Sequence, residues 1–390
     1  MRGFRIGSVF GIPIKLDVTF LLILPVFAYL IGLQVDMWIS MLNGPPFDAA
    51  LNAESLTAGD GQWLLGSVAA IGLFVGVVLH ELGHSVVAMR YGFTIDSITL
   101  WILGGIASLS DQPEEWDQEF YIALAGPAVS VALAGISYVA LQVLPSSLDF
   151  ARFVFGYLAL MNLALAAFNL LPGFPMDGGR VLRALLARNR PFARATQIAA
   201  EVGKLFALVM GIVGLLSLNI ILIGVAFFIY IGASGEAQRT VMNAAFEGVT
   251  VADVMTPASE VHTVNAGDSV ADLMDRMFEQ RHTGYPVLRN GEVSGMVTLD
   301  DARSVQAVER DAMRVEDVMT DDVYTVPDYA DATDALDALQ RHGVGRLLVV
   351  DADGEMTGLI TRTDLMNAFD IIQSTGYQTP RENLDLSSGR

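Results

Sequence analysis

Cysteine is absent from all 390 residues. Disulfides, thiol catalysis and cysteine-ligated zinc are therefore excluded, and any metal must rest on histidine and carboxylate ligands. Lysine is nearly absent too, with only Lys15 and Lys204 in the chain. Charged residues make up 17% against 53% hydrophobic, at a mean hydropathy of +0.47, which is too apolar for a soluble protein of this length and implies several membrane spans. Positive charge is scarce as a whole. The formal net charge of −20 points away from nucleic acid as a partner.

The charge that is present divides the chain. Residues 247–390 carry 27 acids against 11 arginines, and the first 246 residues carry 16 acids against 12 basic residues. Two solvents are implied, lipid for the first part and water for the second. The acids of the second part are spread evenly, as suits a hydrated surface in the salt-rich cytoplasm of a salt-adapted prokaryote.

Segments long enough to cross a hydrocarbon core of about 30 Å fall at about 17–35, 63–89, 120–143, 153–172, 198–217 and 219–234, with a loop at 36–62. The start, Met1 to Lys15, is basic, but no small-residue cleavage site follows the first apolar run, so that run is expected to stay as a membrane helix. Arg2, Arg5 and Lys15 precede the first span, Arg90 follows the second, and Arg180, Arg183, Arg188, Arg190 and Arg194 lie between the fourth and fifth. The 36–62 loop has Asp36, Asp48, Glu54 and Asp60 and no basic residue. The positive-inside rule places both termini in the cytoplasm.

His-Glu-Leu-Gly-His at 80–84 lies in a stretch, Trp63 to Met89, that is otherwise free of ionisable groups. A charged residue at the centre of a membrane helix costs roughly 2.5–3.5 kcal/mol, so it persists where it has a task. On a helix, His80 and His84 share one face one turn apart and can close on a single Zn²⁺. Glu81 beside them is placed to accept a proton from water. Thr94 to Ser110 is rich in β-branched residues and reads as a hairpin or pair of strands near that site. It is either a structural plug or an edge that pairs with an extended substrate. At the end of the fourth span, Pro172, Pro175, Gly178 and Gly179 break the helix around Asp177, the one acid so placed to supply a third ligand. Asn169 either contacts substrate or packs helices, and Ala125-Gly126-Pro127 permits close helix approach.

HELGH in the second of six spans, FNLLP and PMDGGR at the end of the fourth, and the intervening Gly-Gly strand together resemble the site-2 protease family of intramembrane zinc metalloproteases, over roughly residues 1–235. The resemblance implies His80, His84 and Asp177 as zinc ligands, Glu81 as general base and acid, and Asn169 as a substrate- or transition-state-binding residue. It implies hydrolysis of a peptide bond within a membrane-spanning protein. No insertion is large enough for a PDZ domain.

The acidic part repeats. VADVMTPASEVHTV from Val251 recurs as VEDVMTDDVYTV from Val315, and each copy ends in a T-x-x-D, Thr298 with Asp301 and Thr361 with Asp364. The two copies resemble a tandem pair of CBS (cystathionine β-synthase) domains over about 247–371. That resemblance implies that the Thr and Asp of each copy hold the phosphates and ribose of an adenine nucleotide, ATP or AMP. Both residue types are also favoured helix N-caps, so a pure dimerisation module stands beside that reading. Arg281, Arg341, Arg346 and Arg362 are the cations available to grip phosphate.

The expected protein is a mainly α membrane protein, a six-helix metalloprotease core with a short β element, followed by a soluble α/β CBS pair. The core is expected at 1–235, a linker at 236–250, CBS domains at 251–310 and 311–371, and a flexible tail at 372–390. It is expected to be a zinc endopeptidase, homodimeric through the CBS pair and regulated by nucleotide. A CBS-gated channel or transporter with a metal site is the alternative, although residues 1–235 lack the repeated halves that transporters usually show.

Overall fold

The computed structural model describes residues 3–101, 104–109, 113 and 115–375. The chain forms two compact units, one up to Thr240 and one from Val241.

The first unit begins with a hairpin. β1 (Gly3–Val9) and β2 (Ile12–Asp17) pair antiparallel, and Phe10 and Gly11 between them both take positive φ, 52° and 83°, as a two-residue turn matched to strand twist requires. Asp17 then caps α1 (Val18–Leu33), its carboxylate accepting from the Thr19 amide at 2.9 Å. α1 meets α2 (Val35–Asn43) at a 63° bend, so the span expected at 17–35 is one limb of a broken helix.

α3 (Ala53–Thr57), α4 (Gly61–Arg90), β3 (Ile95–Trp101), β4 (Gly104–Leu109), α5 (Trp116–Val143), α6 (Asp149–Asn169), α7 (Asp177–Ala187), α8 (Phe192–Leu216) and α9 (Ile220–Ala245) follow. Among the described residues, α4, α5, α6, α8 and α9 are long and apolar enough to cross a membrane, and the bent α1–α2 pair makes a sixth if it counts as one. Two expectations need correction. The 36–62 stretch is not simply a loop, because it contains α2 and α3. The helix of the last span continues past residue 234 to Ala245, so the stretch expected as a linker at 236–250 begins as helix. A hydropathy reading stops at the last apolar residue, whereas Glu236, Ala237, Gln238 and Arg239 are good helix formers that carry the helix onward.

The strands form one sheet in the order β1-β2-β3-β4. β2 runs parallel to β3, with Ile14 opposite Ile98, and β3 runs antiparallel to β4, with Trp101 opposite Gly104. Residues 102, 103 and 110 of the expected 94–110 strands lie outside the described residues. β4 is an edge, with no further strand beside it among the described residues.

The helices approach one another through small residues. A β-carbon on Gly66 of α4 would strike the Ala28 carbonyl of α1, and one on Gly72 would stand 3.0 Å from Leu158 of α6. Bulky groups face outward instead: Leu216, Ile220 and Ile221 are 80–83% exposed, the surface a helix offers to lipid.

In the second unit α10 (Val251–Val254), β5 (Thr256–Pro257), β6 (Val264–Asn265), α11 (Val270–Gln280), β7 (Gly284–Arg289), β8 (Glu292–Thr298) and α12 (Leu299–Ser304) make the first copy. β9 (Thr325–Pro327), α13 (Ala332–His342), β10 (Arg346–Val350), β11 (Met356–Thr361) and α14 (Arg362–Thr375) make the second. Each copy has its own core, one around Leu273, Tyr285 and Val297 and one around Leu339, Leu347 and Ile360. The copies are interlocked, because β5 pairs with β11 in the sheet β5-β11-β10-β9. α14 runs to Thr375, so the tail expected from 372 begins as helix, and 376–390 lie outside the described residues.

Candidate active site

α4 carries His80, Glu81 and His84 into the interior, where both histidines are buried. Asp177 arrives as the first residue of α7. Glycines make that arrival possible: β-carbons at Gly178 and Gly179 would strike the backbone of Leu171 and Phe174, so the chain could not turn this tightly with larger residues there. The Asp177 Oδ2 lies 3.1 Å from His80 Nε2 and 3.2 Å from His84 Nε2, and the two Nε2 atoms are 3.2 Å apart.

A tetrahedral zinc site with ligand bonds of about 2.0–2.1 Å has donor–donor edges of roughly 3.3 Å. The three donor atoms therefore fit zinc. The outer partners fit as well. His84 Nδ1 lies 2.7 Å from the Ile122 carbonyl, which can only accept, so Nδ1 carries the proton and Nε2 keeps its lone pair for a metal. His80 Nδ1 is 2.9 Å from the Ser130 hydroxyl. Opposite the pair, Gly126 of α5 has no side chain, and a β-carbon there would overlap His84 Nε2 and stand 2.7 Å from His80 Nε2. The missing methyl keeps open the space that an ion would occupy.

Glu81 projects towards the sheet. A β-carbon at Gly105 of β4 would come 2.5 Å from its Cγ and 3.3 Å from its Oε1, so the strand backbone lies directly on the carboxylate. At the end of α6, the Asn169 Nδ2 donates to the Leu165 carbonyl of its own helix at 3.1 Å.

Several supporting residues escaped the sequence reading. Ser130 and the Ile122 carbonyl carry no local signal, because their importance comes from a contact between two helices. Arg183 of α7 donates to Glu119 of α5 through both Nε and Nη2 and to Glu236 of α9 at 2.7 Å. Its guanidinium lies between the rings of Phe174 and Phe192, 4.9 and 4.6 Å from their centres. This buried knot fastens the helix that presents Asp177 to two of its neighbours.

In the second unit both T-x-x-D pairs close as capping boxes. Asp301 Oδ2 accepts from the amide and hydroxyl of Thr298 at 2.8 and 2.6 Å, and Asp364 Oδ2 accepts from those of Thr361 at 2.9 and 2.7 Å. Two clefts lie nearby. One, of about 640 Å³, is lined by Thr361 and Asp364. The other, of about 500 Å³, is lined by Thr298, with Asp300 rather than Asp301 on its wall.

The same residues figure in comparisons with known proteins. Peptidase family M50 matches residues 68–152 and 146–210, and the CBS domain matches 251–307 and 315–371. A zinc metalloprotease of Methanocaldococcus jannaschii is 35% identical over 370 residues, which is 95% of this chain and 96% of that protein. The chain belongs to peptidase family M50. It is a membrane-embedded zinc metalloprotease of the site-2 protease type with a C-terminal CBS pair. Rip3 of Mycobacterium tuberculosis, named as a candidate zinc metalloprotease, is 34% identical over 324 residues, 79% of this chain and 82% of that one. Among solved structures, a site-2 protease from M. jannaschii is 40% identical, covers 60% of this chain and 95% of its own, and superposes with a TM-score of 0.42.

Proposed function

We propose that this M50 peptidase cleaves peptide bonds within membrane-spanning protein substrates, and that adenine nucleotide bound to the CBS pair regulates it. The observation that carries the catalytic half is the convergence of His80, His84 and Asp177 beside a carboxylate covered by a strand edge.

In this reading His80, His84 and Asp177 hold one zinc ion. Bound there, the ion supplies Lewis acidity that polarises the scissile carbonyl and acidifies water. Glu81 takes the proton of the attacking water as the hydroxyl joins the carbonyl carbon. It returns that proton to the nitrogen as the C–N bond breaks. The edge of β4, unpaired with any further strand among the described residues, would give an unwound substrate a partner for its backbone, at the point where Gly105 lies on Glu81. A helical substrate hides its carbonyls in internal hydrogen bonds and must open first. The Asn169 amide, which donates to the Leu165 carbonyl at 3.1 Å, would turn from that bond to the substrate or to the developing oxyanion.

Basic residues on one set of loops support cytoplasmic termini and a cytoplasmic CBS pair. The even acidic surface supports a salt-adapted prokaryotic host, and the CBS pair supports a homodimer. Cysteines introduced at Asn52 and at Gln340, both exposed in this cysteine-free chain, are expected to label from opposite sides of the membrane, and labelling of both from outside would refute the topology. Control by ATP or AMP requires that the nucleotide bind two arrangements of the enzyme unequally. The family match leaves a CBS-gated channel or transporter without support.

The test is cleavage of a model membrane-spanning substrate by the purified full chain. A zinc chelator is expected to abolish cleavage and added zinc to restore it. Cleavage indifferent to the chelator would overturn the reading.

A further inference from the structure

The two copies of the CBS pair share one fold, but their clefts do not share one chemistry. α11 and α13 are each 11 residues long and lead into equivalent strands, which sets the pairing of positions between copies. Gly284 opens β7 opposite Thr298, and Arg346 opens β10 opposite Thr361, so Gly284 and Arg346 are counterparts. By the same pairing Arg281 corresponds to Gly343, each being the left-handed cap of its helix, at φ 58° and 66°. After the paired threonines, Arg362 and Thr363 correspond to Leu299 and Asp300.

All three arginines of these pairs line the larger cleft. Arg281 keeps a left-handed backbone where its counterpart is glycine, a conformation that L side chains adopt at a cost. Arg346 fills the space that Gly284 leaves empty. A β-carbon there would overlap the guanidinium, which donates to Thr283 Oγ1 at 3.0 Å and feels the charge of Asp364. Arg281 and Arg362 form no ion pair among the described residues, so their charge is available. His262 and His282 add two further donors, against the acids Glu260 and Asp364.

The smaller cleft has the opposite balance. Its acids are Asp300 and Asp322, and its one cation is Arg346, which it shares with its neighbour. Asp300, exposed in the lining of this cleft, puts a carboxylate where the other copy has Thr363.

We propose that the CBS pair binds one adenine nucleotide per chain, with its phosphates held by Arg281, Arg346 and Arg362, and that Leu299 and Asp300 close the twin cleft to phosphate. The proposal rests on reading the pair as a nucleotide module and adds which cleft is used and what excludes the other. Guanidinium groups bind phosphate through paired, charge-assisted hydrogen bonds, and a carboxylate in the same place repels it.

The experiment is calorimetric titration of the full chain in nanodiscs with AMP and with ATP. One equivalent per chain is expected, with Kd raised at least ~10-fold by Arg362→Ala or Arg281→Ala and unchanged by Asp300→Asn. Both arginines are exposed, so these changes leave the fold intact. A Leu299→Arg, Asp300→Thr double variant is expected to bind a second equivalent. Two equivalents on the natural chain, or one equivalent that ignores both arginine variants, would overturn the asymmetry while leaving nucleotide control standing. No heat with either nucleotide would overturn both.

Discussion

Gly126 faces His80 so closely that a β-carbon on it would stand 2.7 Å from the imidazole Nε2, on the side where the Asp177 carboxylate also converges. This glycine was read from the sequence as a point of close helix approach. Its position against both histidines makes it a wall of the proposed metal site.

Gly126→Ala is accordingly expected to lose zinc and activity together. The added methyl must displace an imidazole, an overpacking cost of about 1–3 kcal/mol that falls on the ligand geometry. Zinc per chain by atomic emission checks it, with Ala125→Gly on the same helix as the control that keeps its metal.

Gly105→Ala is expected to separate the proposed base from the proposed ligands. Its β-carbon would stand 2.5 Å from Glu81 Cγ and push the carboxylate away, while His80, His84 and Asp177 are untouched. Zinc content should stay at the natural level and the cleavage rate should fall by about 100-fold. Loss of zinc in this variant would show that the strand supports the ligands instead.

Arg183 is expected to matter for stability rather than chemistry. Arg183→Met removes the hydrogen-bonded partner of Glu119, only 1% exposed, and leaves it with the Arg180 guanidinium at 3.9 Å, a loss of about 3 kcal/mol. Thermal unfolding of the full chain in detergent measures it. The Glu119→Leu, Arg183→Met pair should recover much of the loss, because no buried charge is then left alone.

The parts of this molecule that were legible in its sequence are those with a local signature. His80 and His84 are one helical turn apart, and Asp177 is marked by the prolines and glycines around it. The 63° bend between α1 and α2 was not legible, since Leu33, Gln34 and Val35 include no proline or glycine to announce it. The N-terminal hairpin was hidden because Gly3–Val9 and Ile12–Asp17 are short and lie in a basic stretch that resembles a membrane-helix leader. The end of α9 was misplaced because hydropathy measures affinity for lipid and not helix length. T-x-x-D fits both a capping box and a nucleotide grip, and the structure shows the capping contacts formed in both copies. The unlike charge of the two clefts emerges only when strand register pairs Arg346 with Gly284.

Zinc content and cleavage rate measured on one preparation of Glu81→Gln test the central claim most directly. The amide keeps the shape of the side chain and cannot accept the water proton, while the three proposed ligands remain. The prediction is zinc at the natural level with cleavage at least ~100-fold slower, against loss of both zinc and cleavage in His80→Ala and Asp177→Ala. Cleavage by the Gln variant near the natural rate with zinc bound would contradict the account.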